Sequence, residues 1–321
     1  MTLDSPATAP HPDAQTLTPQ PPAPARLGTL HGVSLGPGDP GLITRLAWAQ
    51  LTRPGVHWTY PVRSTRADSY AAAIVQRAGL ALPESAQALL FPMTHDAEKL
   101  ARHWHKAAES VAEVLRQGRD VLFLVEGDAS TYATFGHLAS VLAILLPEAP
   151  IEVIPGVPSF TASCARLRWP LAEQDDTVAI VPAAYGIQQV RGLLPHFDTL
   201  VLMKVKPLLD ELVDLLDAEG LLATSCFIEK AGSPEERIVR DVASLRGQKV
   251  NYLSLMVVRQ PGRAKGERIK GCKPKSLAWV KAAQGLPSSE PERAATPAAM
   301  PGPSGPGRHS LSGSAARQDL S

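Results

Sequence analysis

The sequence predicts an α/β protein of two α/β domains with a cleft between them. Strand and helix signals alternate from residue 27 to residue 260, a succession that favours parallel strands covered by helices. The run DVLFLV at 120–125 is continuously apolar, which is typical of a strand buried on both faces. Two such units meet near residues 147–160, and a junction of this kind forms a natural cleft.

Composition shifts divide the chain into four parts. Residues 1–26 are rich in proline and lack apolar periodicity, which predicts a disordered leader. Residues 27–147 are expected to form the N-terminal α/β domain and residues 148–260 the C-terminal one. Residues 261–321 are first basic and then rich in Pro, Ser and Gly, which predicts a disordered tail. The alternative is a basic arm that contacts nucleic acid or an acidic partner.

Apolar spacing predicts the individual elements. Before the PGVPS segment we expect strands at 30–35, 120–125 and 151–154, and helices at 42–51, 68–78, 97–117 and 134–146. In the second domain we expect strands at 177–181, 200–205, 226–229 and 251–258, a helix at 208–218, and an Ala-rich helix after Ser159 or Thr161, either of which could cap it. Thr94 or Asp96 is expected to begin the helix at 97–117, and Gly118 to end it.

The overall composition is that of an ordinary globular protein. With 44% hydrophobic residues and a net charge of +1, the chain carries no excess of basic residues that would favour a nucleic acid or a membrane surface as partner. Cys164, Cys226 and Cys272 are few, odd in number and far apart, which argues against a disulfide framework and fits a reducing compartment. The longest apolar run, 138–146, is too short to span a bilayer, and the N-terminus lacks the pattern of a signal peptide. A cytoplasmic location is expected.

The segment GPGD at residues 36–39 follows the first predicted strand. Glycines at such a position let a ligand other than protein approach the backbone. Together with Gly41 the segment satisfies G-x-G-x-x-G, but no acidic residue follows a second strand as dinucleotide binding requires. A plain tight turn explains the segment equally well.

Two further segments carry polar groups at strand ends. VEGDAST at 125–131 places two carboxylates after the buried strand, at the edge where open α/β sheets bind ligands. The alternative is a solvated turn with a helix cap. VIPGVPSFTASCARL at 153–167 leads into a helix whose first N–H groups could receive a carboxylate or the edge of an adenine ring.

The histidines near residue 100 do not form a convincing metal site. His103 and His105 are two residues apart on a predicted helix and point in different directions. The spacing lacks an HxxxH pair and a cysteine partner, so no metal is expected. The sequence also lacks GxSxG and GxxxxGK[ST], and no catalytic residue can be assigned from a motif.

Six segments taken in order resemble one family closely. GVSLGPGDPGLIT, FPMTHD, DVLFLVEGDASTYATF, VIPGVPSFTASCARL, VLMKV and IEKAGSPEERIV are similar to segments of the tetrapyrrole methylases, the S-adenosylmethionine-dependent enzymes of corrin and sirohaem synthesis. The resemblance runs from Gly28 to Arg259. FPMT followed by Asp, together with EGDxxxYxTF, resembles the subgroup that methylates C-20 of precorrin-2 or cobalt-precorrin-2 in cobalamin biosynthesis.

The resemblance implies two α/β domains, a homodimer, and S-adenosylmethionine as co-substrate in the cleft. Two positions depart from the family pattern: Ala129 stands where proline is usual and is expected to loosen the turn, and Pro158 stands where Thr or Ser is common. The positions that match the cofactor-binding segments of the family are Pro37, Glu126, Gly127, Asp128, Thr131, Pro158, Ser159, Met203 and Ala231.

The implied acceptor is a tetrapyrrole that bears many carboxylates, so cationic side chains near the loops are candidate substrate contacts. These are Arg63, Arg66, His95, Arg102 and Lys204. Asp39, Asp128 or His95 could accept the proton that methylation of a carbon releases, and the sequence does not choose among them. The alternatives keep the fold with another tetrapyrrole position, a diphthamide precursor or ribosomal RNA as acceptor, or make the chain an inactive cofactor-binding module. A nicotinamide-dependent oxidoreductase is disfavoured because the acid that binds ribose is missing.

Overall fold

Two five-stranded sheets organise residues 26–263, the part of the chain that the computed structural model describes. The first sheet has the order β3-β2-β4-β1-β5 and the second β6-β7-β10-β8-β9. The strands are β1 (Leu30–Ser34), β2 (His57–Val62), β3 (Gln87–Leu90), β4 (Val121–Val125), β5 (Ile151–Ile154), β6 (Val178–Pro182), β7 (Thr199–Met203), β8 (Ser225–Glu229), β9 (Arg237–Val239) and β10 (Ser254–Arg259). The helices are α1 (Arg45–Leu51), α2 (Tyr70–Arg77), α3 (Ala97–Arg116), α4 (Phe135–Leu145), α5 (Ser159–Leu167), α6 (Ile187–Leu193) and α7 (Leu209–Ala218).

Every pairing in the first sheet is parallel. Leu30 on β1 lies beside Val121 on β4 and Ile151 on β5, so the three strands end at the same edge. β1 and β4 are buried along their whole lengths, as expected for strands covered on both faces. The loops that follow β1, β4 and β5 therefore meet at one edge of the sheet.

The second sheet is mixed. β6 and β7 run parallel, whereas β10 lies between β7 and β8 and is antiparallel to both. One face packs on α7, and the other packs on α5, where Phe160, Cys164 and Leu167 are buried against β7, β8 and β10. The helix α5 thus belongs to the second sheet, although it follows a strand of the first.

The expected domain boundary after residue 147 falls before β5. Because β5 pairs with β1, this strand is part of the first sheet, and the chain passes to the second sheet only through α5. Residues 26–263 all lie in one compact unit, so the division into two domains stays a prediction. The expected leader at 1–25, the tail at 264–321 and Cys272 lie outside the described residues.

The caps of α3 confirm the sequence prediction. Asp96 is the N-cap and accepts a hydrogen bond from the Lys99 N–H at 3.0 Å. Gly118 follows the last turn with a φ of +75°, the left-handed conformation that glycine adopts most easily. The prediction of a side-chain cap for α5 is wrong: Pro158 occupies the N-cap without such a bond, and Ser159 is already the first helical residue.

Candidate active site

The loops after β1 and β4 are joined backbone to backbone. The Gly36 N–H donates to the Gly127 carbonyl at 3.1 Å, and the Gly127 N–H donates to the Gly36 carbonyl at 2.8 Å. Both glycines have a φ of +75°, which a residue with a Cβ adopts only with strain. The two glycine-containing loops identified in the sequence are therefore hydrogen-bonded to each other through their backbones.

Asp128 links the β4 loop to the β5 loop. Its Oδ2 accepts a hydrogen bond from the Gly156 N–H at 2.8 Å, and its Oδ1 accepts bonds from the Ser130 N–H at 3.0 Å, the Thr131 hydroxyl at 3.2 Å and the Ser130 hydroxyl. Desolvation acts to raise the pKa of Asp128, but the hydrogen bonds from Ser130 and Gly156 outweigh it and hold that pKa below its ordinary value. The residue is 8% exposed, and both carboxylate oxygens accept hydrogen bonds from the protein.

Close packing of small residues completes this corner. A Cβ on Gly156 would lie 2.4 Å from the Ser34 Cβ and 2.8 Å from the Gly127 carbonyl oxygen. The Ser34 hydroxyl accepts a hydrogen bond from the Ala129 N–H at 2.8 Å. Since proline has no N–H, this bond requires a residue other than proline at position 129. The turn is held by that bond and is not loosened as the sequence suggested.

A loop of the second sheet, residues 230–233, packs against the β1 loop. A Cβ on Gly38 would lie 2.8 Å from the Ala231 carbonyl oxygen, from the Ser233 nitrogen and from the Tyr70 hydroxyl. The Arg77 guanidinium donates to the Gly38 carbonyl at 2.9 Å. Loops 36–39, 126–131, 155–159 and 230–233 thus meet where the two sheets adjoin, and we refer to this region as the cleft.

Glu126 follows β4 at the edge of this cleft and is open to solvent. Although water reaches it, surrounding protein atoms remove part of its hydration, and this desolvation raises its pKa, with the Arg63 guanidinium opposing the rise. Burial also raises the pKa of the Tyr252 phenol, and the charge of Glu126 adds to that effect. An accessible carboxylate with a raised pKa is suited to accepting a proton.

Tyr132 connects the β4 loop to the second sheet. Its hydroxyl donates to the Ile180 carbonyl on β6 at 2.9 Å, and the Lys204 ammonium lies 5.7 Å from the centre of its ring. Tyr132, Lys204 and Lys230 all have positive φ values, of 51°, 56° and 49°. Such strain is sparse in proteins and concentrates at functional sites.

The structure brings the predicted cofactor positions together. Pro37 adjoins the bridge between Gly36 and Gly127, and the β4 and β5 loops are tied by Asp128. Met203 ends β7 and packs in the same apolar cluster as Ala231 and Phe160. The positions that share this region are Pro37, Glu126, Gly127, Asp128, Thr131, Pro158, Ser159, Met203 and Ala231.

The predicted substrate positions divide into two groups. Arg63 is close enough to influence the pKa of Glu126, and Lys204 lies over Tyr132, so both are beside the cleft. Arg102 instead pairs with Glu98 on the surface of α3 at 3.1 Å. Arg66 and His95 are exposed on the loops after β2 and β3. Within residues 26–263, no group of three or more His, Cys, Asp or Glu residues could hold a metal ion, and no helix is long and apolar enough to cross a membrane.

Sequence reasoning missed several residues of the site. Tyr70 and Arg77 reach the Gly38 loop from α2, and Arg166 reaches Asp39 from α5. No local motif marks these residues, because their partners lie far along the chain. A partial signal existed for Tyr132, which belongs to the quoted EGDASTY segment.

Comparison with known proteins identifies the family. The model of the tetrapyrrole (corrin/porphyrin) methylases matches residues 29–245, which include both sheets up to β9 and all four loops of the cleft. The chain belongs to the tetrapyrrole methylases.

Curated relatives resemble the chain over almost their whole lengths. The cobalt-precorrin-2 C(20)-methyltransferase of Salmonella typhimurium is 30% identical over 234 residues, which cover 73% of this chain and 97% of that protein. The precorrin-2 C(20)-methyltransferase of Sinorhizobium sp. is 29% identical over 241 residues, or 72% and 95% of the two chains.

A solved structure shares the fold. The uroporphyrin-III C-methyltransferase of Thermus thermophilus superposes in its native form with a TM-score of 0.52, at 21% identity, over 73% of this chain and 98% of that one. Its complex with S-adenosylhomocysteine gives a TM-score of 0.50 at 22% identity, over the same shares of the two chains. The two-sheet α/β fold is therefore that of a tetrapyrrole methyltransferase.

Proposed function

We propose that this protein transfers the methyl group of S-adenosylmethionine to C-20 of precorrin-2 or cobalt-precorrin-2, a step of cobalamin biosynthesis. The observation that carries the proposal is the convergence of four loops on one cleft in a chain of this family. The names of the two curated relatives support the choice of acceptor. A homodimer and a cytoplasmic location are part of the proposal, and membranes and nucleic acids are not among the proposed partners.

Two features of these loops support S-adenosylmethionine as the ligand. Apart from its chain neighbours, no heavy atom of residues 26–263 lies within 4 Å of where a Cβ of Gly127 would point, so a ligand can approach this backbone. Met203 and Ala231 offer an apolar wall suited to a flat ring. The residues proposed to hold the cofactor are Pro37, Glu126, Gly127, Thr131, Pro158, Ser159, Met203 and Ala231. Asp128 is proposed to affect cofactor binding by holding the loops in place, because its oxygens accept hydrogen bonds from the backbone N–H groups of Ser130 and Gly156.

The chief contribution of the protein to catalysis is to position the two reactants. S-adenosylmethionine, when bound, supplies the activated methyl group. The backbone bridge between Gly36 and Gly127 and the Asp128 link to Gly156 fix the loops that hold it. Fixing two reactants in line can lower a barrier by about 7–11 kcal/mol at best. Neither a covalent nucleophile nor a metal is required for this step.

Glu126 is the proposed proton acceptor. Methylation of a carbon that bears hydrogen releases one proton, and Glu126 offers an accessible carboxylate whose pKa is raised by desolvation. The other candidates fit less well: Asp128 accepts bonds from three residues, and Asp39 accepts from the Gly41 N–H at 2.9 Å and pairs with Arg166. His95 is an exposed residue of the loop after β3.

Arg63 and Lys204 are the proposed contacts for the acidic side chains of the acceptor. Both lie beside the cleft, and cations there attract a polycarboxylate and orient it. Arg66 and His95 are proposed as outer contacts at the rim. Arg102 is the weakest of the predicted positions, because Glu98 already neutralises it.

Two measurements test the proposal. Calorimetry with S-adenosylhomocysteine and with NAD should show binding of the first and none of the second; the reverse result would remove the methylase assignment. Incubation with precorrin-2 and, in parallel, with cobalt-precorrin-2 should add one methyl group to at least one acceptor, seen by mass spectrometry. Cofactor binding with no product from either acceptor would redirect the search to another tetrapyrrole position, a diphthamide precursor or ribosomal RNA.

A further inference from the structure

The backbones of loops 36–41 and 230–236 lie in close contact. A Cβ on Gly232 would lie 2.9 Å from the Asp39 nitrogen, just as one on Gly38 would meet the Ala231 carbonyl oxygen. The N–H groups on the second loop are used locally: Gly232 donates to Glu236 at 2.6 Å, and Ser233 donates to the Lys230 carbonyl at 3.0 Å. The polar connection between the loops must therefore come from side chains.

Arg166 supplies such a connection. Its Nη2 lies 3.1 Å from Asp39 Oδ2, and its Nε lies 3.7 Å from Glu236 Oε2. Asp39 also accepts the Gly41 N–H at 2.9 Å, and Glu236 Oε2 accepts the Gly232 N–H. A chain of polar contacts thus runs from one loop, through one guanidinium, to the other.

The guanidinium is carried by a helix that is itself fixed. Arg166 lies in the last turn of α5, which is anchored by Phe160, Cys164 and Leu167 in the apolar cluster that also contains Ala231. The first residue of the same helix, Ser159, is one of the proposed cofactor contacts. One rigid element therefore connects three of the loops that border the cleft.

The exposure of these groups argues against a role in global stability. The side chains of Arg166, Asp39 and Glu236 are 47%, 38% and 19% exposed, and ion pairs in contact with water add little to the free energy of unfolding. Binding is far more sensitive, since a displacement of about 1 Å in a positioning group can cost 100-fold in activity. The main effect expected of the contacts between Arg166, Asp39 and Glu236 is therefore to fix the distance between the two loops.

We propose that Arg166 is a positioning residue that holds loop 36–41 against loop 230–236 at the spacing S-adenosylmethionine requires. This inference rests on the proposed function, because it takes the cofactor to lie between these loops. It assigns Arg166 no contact with the reacting atoms.

The full-length protein and three variants test it. Arg166→Met removes both contacts, Arg166→Lys keeps the charge, and Arg246→Met is the matched control. Arg246 is 40% exposed and bridges Asp214 and Asp217 at 2.9 and 2.7 Å, away from the four loops. For Arg166→Met we expect the Kd for S-adenosylhomocysteine and the KM for S-adenosylmethionine to rise about 10-fold, kcat to fall less and Tm to stay near that of the control. Arg166→Lys should recover part of the affinity, and Arg246→Met should bind as the wild type does.

Hydrogen exchange separates this inference from the proposed function. In the unliganded protein the Gly41 and Gly232 amides should exchange faster in Arg166→Met than in Arg246→Met, whatever ligand the cleft binds. Adding Glu236→Gln to Arg166→Met should change the Kd little further, because the link is already broken. Unchanged exchange, or a Kd for Arg166→Met equal to that of the wild type, would overturn the inference. Failure of the wild type to bind S-adenosylhomocysteine would overturn the proposed function, leaving the exchange result to decide the role of Arg166.

Discussion

The carboxylate of Asp128 accepts the backbone N–H of Gly156 at 2.8 Å and so joins the loops that follow two strands of the first sheet. A residue that resembles a ligand-binding acid by its sequence position is thus a structural link between loops. We expect its effect on a ligand to come from the shape that it gives these loops. This distinction leads to different expectations for the neighbouring acids Asp128 and Glu126.

Asp128→Asn should destabilise the fold and weaken cofactor binding together. The amide would turn an NH2 group toward a partly buried N–H of Gly156 or Ser130, and a donor left without a partner away from water costs about 1–3 kcal/mol. Urea unfolding and calorimetry with S-adenosylhomocysteine measure the two effects. Ser130→Ala, which removes one of the bonds to Asp128, should cost less in both; full stability of Asp128→Asn would contradict the structural role.

The loss in free energy of unfolding caused by Asp128→Asn should become smaller as the pH falls. The pKa of Asp128 is depressed in the folded protein, so its ionised form contributes stability above the unfolded pKa of about 3.9, and this is lost as the pH falls through the folded value. The difference in free energy of unfolding between wild type and variant should therefore be constant near pH 7 and decline below about pH 4. A difference independent of pH down to acid unfolding would show that ionisation of Asp128 is irrelevant.

Glu126→Gln should behave oppositely, with higher stability and lower activity. The pKa of Glu126 is raised on folding, so ionisation opposes folding once the pH exceeds the unfolded value of about 4.3, and the cost is complete above the folded value. The variant should be more stable than wild type at neutral pH, with the gain vanishing in acid. Turnover should fall by about 10²–10⁴, the usual contribution of a general base. Undiminished turnover at saturating substrate would remove Glu126 as proton acceptor.

Gly38→Ala should separate the two loops that it touches. Its Cβ would lie 2.8 Å from two backbone atoms, which cannot swing aside, and overpacking of this kind costs about 1–3 kcal/mol. Binding of S-adenosylhomocysteine should fall sharply. Gly136→Ala is the control: no described atom beyond its own helix and chain neighbours lies within 4 Å of the added Cβ, so it should bind normally and gain about 0.5–1 kcal/mol in denaturant unfolding.

Tyr132→Phe should loosen the connection between the sheets with little effect on the fold. It removes the hydroxyl that donates to the Ile180 carbonyl at 2.9 Å while leaving the ring beneath Lys204. The expected loss in free energy of unfolding is about 0.5–1.5 kcal/mol. The KM for the tetrapyrrole should rise if Lys204 depends on this ring for its position, and an unchanged KM would remove Tyr132 from the acceptor side of the site.

Long periodic elements and the glycine loops were predictable because their signals are local. The stripe that includes Trp104, Val111 and Leu115 predicts α3 to within a residue of its observed end, and the apolar run of β4 is equally plain. The three missed strands are short or mixed: β3 has four residues, β9 has three, and β2 contains a proline and a histidine. Their strand conformation comes from pairing with neighbours in the sheet, which no window of sequence contains.

The residues that make up the site were harder to predict from the sequence. The contact between Arg166 and Asp39 spans 127 residues, and that between Arg77 and Gly38 spans 39, so local spacing carries no trace of either. Ala129 shows the same limit: its expected looseness is offset by a bond to Ser34, 95 residues earlier. Parallel strand order was enough to predict that the loops meet, whereas the side chains that tie them required the tertiary structure.

The pairing of Gly36 with Gly127 consists of main-chain atoms alone. Substitutions around it can therefore change the lining of the crevice while its framework stays in place, since amide geometry is common to all residues. On the proposed assignment, acceptor choice can therefore diverge through the surrounding side chains while the loops proposed to bind the methyl donor keep their backbone arrangement. Engineers who wish to retarget the chemistry should vary the side chains that face the macrocycle and leave this pair of glycines untouched.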